Sequence, residues 1–415
     1  MKILFILNQL PYPPRNGVTI PTYNFLNGLS SLSEVSLLFL REQWYESNEN
    51  DIIQNAVLVK NLWVMDVEKK PKIQRMLCEL GGNSFYHIGR KYDTTLIEEI
   101  FSHHTFDVIW VSDDGILDVI KVLLEFTQYK FKAVAGLNDC ITSVFKQSRK
   151  QMLLKGGKPQ ERLFLFTKWL RSFRAGSLEK RILKHYDLIL VQSNRDLENL
   201  IKISHGKLES KVMVLPNGVA ASLFQNKLAC SNKEILFVGS LRGYSRIVEW
   251  LLAEVWPSVK STHPDATFHI VGQGASSSLR DKIKSQPGVR HTEYLINIID
   301  VYKNRAVAVS PVFKNYGVIN KVIEAMAAGV PVVANKGSFN SIPGFVNGKH
   351  GLVANDAMSM VNAINKLLYS VELRTSIGKQ ARNLISNHFN WDPKVQKIHR
   401  KLCHITGRKN SFEDN

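Results

Sequence analysis

A chain of 415 residues, 44% hydrophobic and 22% charged, has the balance of a globular protein and enough length for two or three cored domains. Its 54 basic and 36 acidic residues leave a formal charge of +18, which points to an anionic partner: nucleic acid, anionic lipid or a phosphorylated substrate. Four cysteines, Cys78, Cys140, Cys230 and Cys403, stand far apart with no CxxC pair, which argues against a zinc site or a disulfide scaffold and fits a reducing cytosol. No run approaches the roughly 18 apolar residues of a spanning helix, and the opening MKILFILNQLPYPP is too briefly apolar for a signal peptide.

Short β-branched runs predict strands at 2–7, 35–40, 107–111, 131–136, 187–192 and 211–215, then at 234–239, 266–272, 305–310 and 330–334. Helical patterns separate them, so the expectation is an α/β fold of parallel sheets covered on both faces. The order breaks at LPNGVAASLFQNKLACSNKE, where Pro216, Asn217 and Gly218 end one half and a new first strand follows. Two Rossmann-like, doubly wound domains are predicted, 1–218 and 219–390, with the tail 409–415 disordered. In such sheets ligands bind at the carboxyl ends of the strands, so the loops that follow strands are the ones to inspect.

After the first strand, Pro13 and Pro14 stiffen the chain, Gly17 permits a tight turn, and a helix begins near Thr19. After 131–136 come Asn138 and Asp139. Asp139 there fits either a base for an incoming hydroxyl or the cap of a helix starting at Ile141; Asp113 and Asp114 carry the same ambiguity. Between Lys146 and Lys184, 12 Lys/Arg face Glu161 and Glu179, mixed with Phe164, Phe166, Trp169 and Phe173. The stretch suits an interfacial helix on an anionic membrane and equally a helix packed on its own domain. No RNP, KH or helix-turn-helix pattern accompanies it, so nucleic acid is not the expected partner.

In the second half, Gly239, Ser240, Arg242, Gly243 and Arg246 follow a strand, as do Gly272 and Gly274. Glycines admit close backbone approach and arginines bind phosphate, although turn chemistry accounts for the glycines and serine too. Neither loop is a P-loop and no GxGxxG is present. The most specific stretch is GVINKVIEAMAAGVPVV, residues 317–333. A helix from Asn320, stopped at Gly329, puts Lys321 and Glu324 on one face of an otherwise apolar segment. Gly317 and Val318 lead into a helix tip suited to phosphate, with Lys321 adding charge and Glu324 placed to accept from a ribose diol. The competing account is an i,i+3 pair on a surface helix.

VLPNGVAASLF, ILFVGS, EVWPSVKSTHPDATFHIVGQG, NKVIEAMAAGVPVVA and FNW at 389–391 appear in order over some 200 residues. In this the chain resembles the GT-B-fold retaining glycosyltransferases of family 4, or "group 1". The resemblance implies two Rossmann-like domains facing across a cleft, an acceptor-side first domain and a nucleotide-diphosphate-sugar donor in the second. It implies that helix 391–408 packs back on the first domain, that Glu324 holds the donor ribose, and that Lys321 and the Ser240–Arg246 loop lie near the diphosphate. Gly17 would lie near phosphate or sugar, and Gly272, Gly274, Tyr294 and Leu295 near the base. It also implies transfer without a covalent intermediate, the acceptor proton passing largely to the leaving phosphate, and neither metal nor cofactor beyond the donor.

Three positions depart from the family: Tyr316 stands where it has a glutamate and a related subgroup has Gly, Ile319 stands where that subgroup has Lys or Arg, and no histidine stands near 138–139. Asp139, with Asn138, is therefore the candidate for acceptor activation. The expected activity is sugar transfer to a lipid-linked or polysaccharide acceptor in bacterial cell-surface polysaccharide biosynthesis, by a cytoplasmic protein or one peripheral to the inner membrane face. The alternative is a catalytically weak nucleotide-sugar-binding protein that scaffolds a partner glycosyltransferase.

Overall fold

The computed structural model describes residues 1–14, 18–42, 49–69, 90–112, 114–126, 130–137, 176, 179–226, 232–295, 297–311 and 318–409. The chain forms two compact units, Met1–Pro216 with Asp392–Asn415, and Asn217–Trp391. Cys403 is buried, and Cys78, Cys140 and Cys230 lie outside the described residues, as does most of 146–184 and the tail from 410. No helix among the described residues is long and apolar enough to cross a membrane.

The first unit holds β1 (Lys2–Leu7), β2 (Glu34–Glu42), β3 (Leu62–Lys69), β4 (Arg90–Lys91), β5 (Val108–Ser112), β6 (Lys132–Gly136), β7 (Leu188–Val191) and β8 (Val212–Val214). Their order across the sheet is β4-β3-β2-β1-β5-β6-β7-β8, parallel except where β4 runs against β3. Helices Thr19–Ser30, Thr94–His103, Val119–Phe126 and Asn194–Ser204 make crossovers, and β1 and β5 are buried nearly throughout, as strands covered on both faces must be. The last helix, Trp391–Thr406, belongs to this unit from Asp392 on. Just beyond it, Arg408 bonds Asp107 at 2.7 Å, and the same carboxylate accepts from the Lys2 amide at 2.7 Å.

The second unit holds β9 (Glu234–Val238), β10 (Thr267–Val271), β11 (Val289–Thr292), β12 (Val307–Val309), β13 (Val332–Ala334) and β14 (Leu352–Val353). The order is β11-β10-β9-β12-β13-β14, every neighbouring pair parallel. Successive strands step outward from β9 through β10 to β11, then β12 returns to the other side of β9. This places the topological switch point between β9 and β12. Both sheets are therefore doubly wound α/β layers. The ten strands expected from apolar runs all form, their ends within two residues of expectation.

Four strands were not expected: β3, β4, β11 and β14. The run LWVMDVEK of β3 alternates buried and exposed residues near its end, VRHT of β11 is polar at a sheet edge, and β4 and β14 are two residues each. Edge strands shed the continuous apolar run that marks central ones.

Helix Asn320–Ala327 is stopped as the sequence indicates. Gly329 takes φ +73°, the Gly329 amide bonds the Met326 carbonyl at 3.0 Å and the Val330 amide the Ala325 carbonyl at 2.9 Å, a Schellman closure. Helix Val371–Phe389 packs hard on this stop, where a Cβ on Gly378 would stand 2.1 Å from the Gly329 carbonyl oxygen. Gly378→Ala is expected to destabilise the fold by about 1–3 kcal/mol, the range for forced overpacking. Gly243→Ala, whose Cβ meets nothing within 4 Å in a helix of ordinary dihedrals, is expected to stabilise it by up to about 1 kcal/mol. Urea unfolding of the two variants against the parent reads both signs.

Candidate functional site

The carboxyl ends of β9, β10 and β11 are locked together by their own backbone. The Gly239 amide bonds the Val271 carbonyl at 3.0 Å, the Leu241 amide bonds the Gln273 carbonyl at 2.8 Å, and the Gly272 amide bonds the Thr292 carbonyl at 2.9 Å. Gly272 is obligatory here, because a Cβ would fall 1.8 Å from the Gly239 carbonyl oxygen. His291 Nε2 lies 2.8 Å from the Gly272 carbonyl oxygen. Gly274, at φ +84°, lies against Arg242, its Cβ position 3.2 Å from the Arg242 Cβ. Of the residues singled out from sequence, Ser240, Gly272, Gly274 and Arg242 are thus gathered at one edge, with Ser240, Arg242 and Arg246 exposed. Tyr294 is 42% exposed, whereas Leu295 and Val318 pack against the apolar cluster that contains Tyr302 and Met326.

Across the switch point, the helix Asn320–Ala327 opens after β12. Ile319 is its cap residue and makes no side-chain capping bond. Asn320 Oδ1 accepts from Asn217 Nδ2 at 3.2 Å, which ties the helix start to the PNG turn. Val322, Ile323, Ala325, Met326 and Ala327 are buried, so the helix presents little besides Lys321 and Glu324 to anything polar.

The two charged residues do not form a surface pair, which corrects that account of their spacing. Glu324 Oε2 accepts a hydrogen bond from the fully buried Tyr302 hydroxyl at 2.8 Å. Burial pushes the Glu324 carboxyl above the usual range, opposed by the Tyr302 bond and the Lys321 charge. Tyr302 is pushed up in turn, by burial and by the neighbouring carboxylate. The Lys321 amino nitrogen is enclosed and has no hydrogen-bond partner among the described residues. It stands 3.4 Å from the Tyr244 ring centroid, 5.3 Å from that of Phe237, and 3.0 Å from where a Gly239 Cβ would be. Burial lowers its pKa to about 7, the Glu324 charge resisting. His269, buried in β10 with Nε2 2.8 Å from the Thr292 hydroxyl, is lowered to about 4, mainly by burial.

This edge offers glycine-lined backbone, a helix N-terminus, an amino group and a fixed carboxylate within one region of one unit, a combination suited to a phosphorylated polyol. Tyr302 and Tyr244 were missed in the sequence. The one available signal for Tyr302 was a tyrosine inside an apolar helical segment, whose hydroxyl needs a buried partner. Gly17, Asn138, Asp139 and Gly317 lie outside the described residues, as do Asp113 and Tyr316.

Residues 232–370 match the family model described as "Glycosyl transferases group 1". No curated protein sequence matches the chain. Solved structures resemble it over almost its whole length: HepE of Anabaena in complex with UDP, at TM-score 0.66 and 14% identity over 97% of this chain and 100% of that one. Sucrose-phosphate synthase of Thermosynechococcus elongatus aligns at TM-score 0.67 and 16% identity, covering 98% and 99%. A variant of S. aureus TarM, in complex with Fondaparinux, alpha-GlcNAc-glycerol and UDP, aligns at 0.63 and 11%, covering 97% and 99%. The chain has the GT-B fold, and its expected likeness to group 1 glycosyltransferases is borne out.

A depressed amine couples stability to pH. Between about pH 7 and pH 10.5 the unfolded chain holds a proton on Lys321 that the folded chain has lost, so folding becomes more favourable as pH rises through that window. Below it the folded state bears the full penalty of a buried ammonium. Lys321→Met removes this slope. Urea titrations at pH 7, 8 and 9 are expected to show the parent gaining on the variant by up to about 1.4 kcal/mol per pH unit.

Proposed function

We propose that the chain is a retaining glycosyltransferase that moves a hexosyl or related sugar from a nucleotide-diphosphate sugar to a lipid-linked or polysaccharide acceptor. The observation that carries the reading is the enclosed Lys321 amine and the Tyr302-held Glu324 carboxylate, one turn apart on a helix that opens at a Rossmann switch point. Ligands of doubly wound sheets bind at that position. A diphosphate at the helix tip meets backbone N–H groups, the positive end of the helix dipole and Lys321. A ribose one turn along donates its hydroxyls to Glu324.

Arg242 and Arg246 stand at the exposed rim to meet phosphate oxygens, and Gly272, Gly274, Tyr294 and Leu295 are the proposed surroundings of the base. UDP is the first nucleotide to try, since HepE is solved in complex with it on the same fold. In the reaction the bond from the anomeric carbon to the leaving phosphate oxygen breaks while the acceptor oxygen bonds that carbon on the same face. The hydroxyl proton passes to the departing phosphate, with Asp139 and Asn138 the proposed aids to the acceptor. The setting proposed is bacterial cell-surface polysaccharide assembly in the cytoplasm or at the inner membrane face, the 146–184 stretch meeting anionic lipid. No cofactor or metal is assigned.

The test is a panel of UDP-, GDP-, ADP- and TDP-sugars read by calorimetry and by transfer to lipid-linked and polysaccharide acceptors. A folded protein that binds and turns over none of them ends the proposal. Binding without transfer moves the protein to the scaffold alternative. Glu324→Ala is expected to weaken UDP-sugar binding by about 1–3 kcal/mol, the cost of losing a partner for buried hydroxyls. Because diphosphate favours the protonated Lys321, affinity is expected to fall as pH rises above about 7, and this fall disappears in Lys321→Met.

A further inference from the structure

Lys321 is placed where no ligand reaches it without a change. Its amino nitrogen has essentially no solvent exposure and no hydrogen-bond partner among the described residues, an arrangement that buried polar groups ordinarily avoid. Among the described residues, what closes on it is aromatic and backbone. The Tyr244 ring lies 3.4 Å away face on, the Phe237 ring 5.3 Å away, and the bare Cα of Gly239 closes a third side. Tyr244 is itself fixed, its amide bonded to the Ser240 carbonyl at 3.0 Å, its ring edge to face with Phe237 at 6.2 Å and packed on the apolar cluster of the second unit. Phe237 is buried within β9. Tyr244 therefore lies in the first turn of the helix Leu241–Trp250 that directly follows β9, where the sequence predicts a loop over 240–246.

We infer that Tyr244 is a positioning residue for Lys321: its ring holds the ammonium in a resting clasp, from which the diphosphate of an arriving nucleotide draws it. The inference rests on the reading of Lys321 as a phosphate partner. An aromatic face attracts a cation more strongly when water is excluded, so the clasp substitutes for the hydrogen bonds the ammonium lacks. It also competes with the ligand. A protein whose charged lysine rests on a ring binds an anion more weakly by the factor with which the resting state is preferred. Among the described residues, the charge acting on Lys321 is that of Glu324 on the same helix, itself bonded by the Tyr302 hydroxyl, while Arg242 and Arg246 are exposed on the helix of Tyr244. An acylating reagent must reach the amino nitrogen, so the rate of labelling reads the enclosure directly.

The experiment is acetic anhydride labelling of the whole chain at pH 7.5, read by peptide mass spectrometry, beside UDP affinity by calorimetry at pH 6, where the folded chain holds Lys321 protonated. In the parent, Lys321 is expected to react at least about tenfold more slowly than the exposed Lys349. Tyr244→Leu is expected to speed labelling of Lys321 and to tighten UDP by about two- to fivefold, and Tyr244→Phe, which keeps the ring face, to restore both parent values. Parent Lys321 reacting as fast as Lys349 overturns the clasp without any variant. So does Tyr244→Leu matching the parent in both readouts while Lys321→Met still loses UDP affinity. If Lys321→Met binds UDP as the parent does, the phosphate reading itself falls, a result distinct from the other two.

Discussion

Burying two opposite charges in an apolar helix is the constraint that organises the second unit. An ionised carboxylate taken out of water is costly unless hydrogen bonds replace its hydration. Tyr302 supplies that replacement for Glu324 and is held in its turn. Asn226 Nδ2 donates to the Tyr302 carbonyl at 3.4 Å and to the Ala328 carbonyl at 3.0 Å. Arg382 reaches the carbonyls of Ala327, Ala328 and Asn226 at 3.0, 2.7 and 2.6 Å, placing a cation at the negative end of the helix. The carboxylate is thus preorganised through three successive layers of bonding, from its own tyrosine to the cap of its helix.

Lys321 has no such support, and the asymmetry is informative. A group meant to stay where it is would be hydrogen-bonded like its neighbour. A buried amine resting on rings and glycine has given up hydration for weaker, directionless contacts. One member of the pair is fixed and the other is poised. That division suits a ligand with a neutral diol at one end, which needs a rigid acceptor, and a variable anionic part at the other, which a movable cation can follow.

The strands, the helix at 320 and its stop at Gly329 were legible because each depends on a local rule: continuous apolar runs, helical spacing, one residue able to take positive φ. The edge strands β4, β11 and β14 were illegible for the converse reason, being short or polar, with pairing imposed from outside. In the site, Lys321 and Glu324 could be picked from composition alone, since two charges in an apolar helix demand explanation. Their partners could not. Tyr302 is 22 residues from Glu324 in sequence, and Tyr244 is on a different helix from Lys321, so only the sheet order brings them together. Glycine loops misled by being ambiguous: Gly272 is required by contact with Gly239, a packing reason that exists whether or not a phosphate ever arrives.

Ile319 sharpens the electrostatic question. Ile319 packs against the apolar cluster that contains Tyr302 and Met326 and brings no charge to the helix tip. Arg242 and Arg246, on the helix after β9, are exposed, and exposed charges act through water and salt that screen them within about a Debye length. Lys321 is the enclosed one. A cation in a low-dielectric surrounding interacts several times more strongly with an anion than the same cation at the surface. The net charge of +18 steers anions toward the molecule as a whole, and on the proposed reading discrimination of a diphosphate from other anions rests, among the described residues, on the amine that leaves its ring to meet it. On the same reading, an isoleucine at 319 leaves the phosphate role to Lys321 and concentrates the selectivity there.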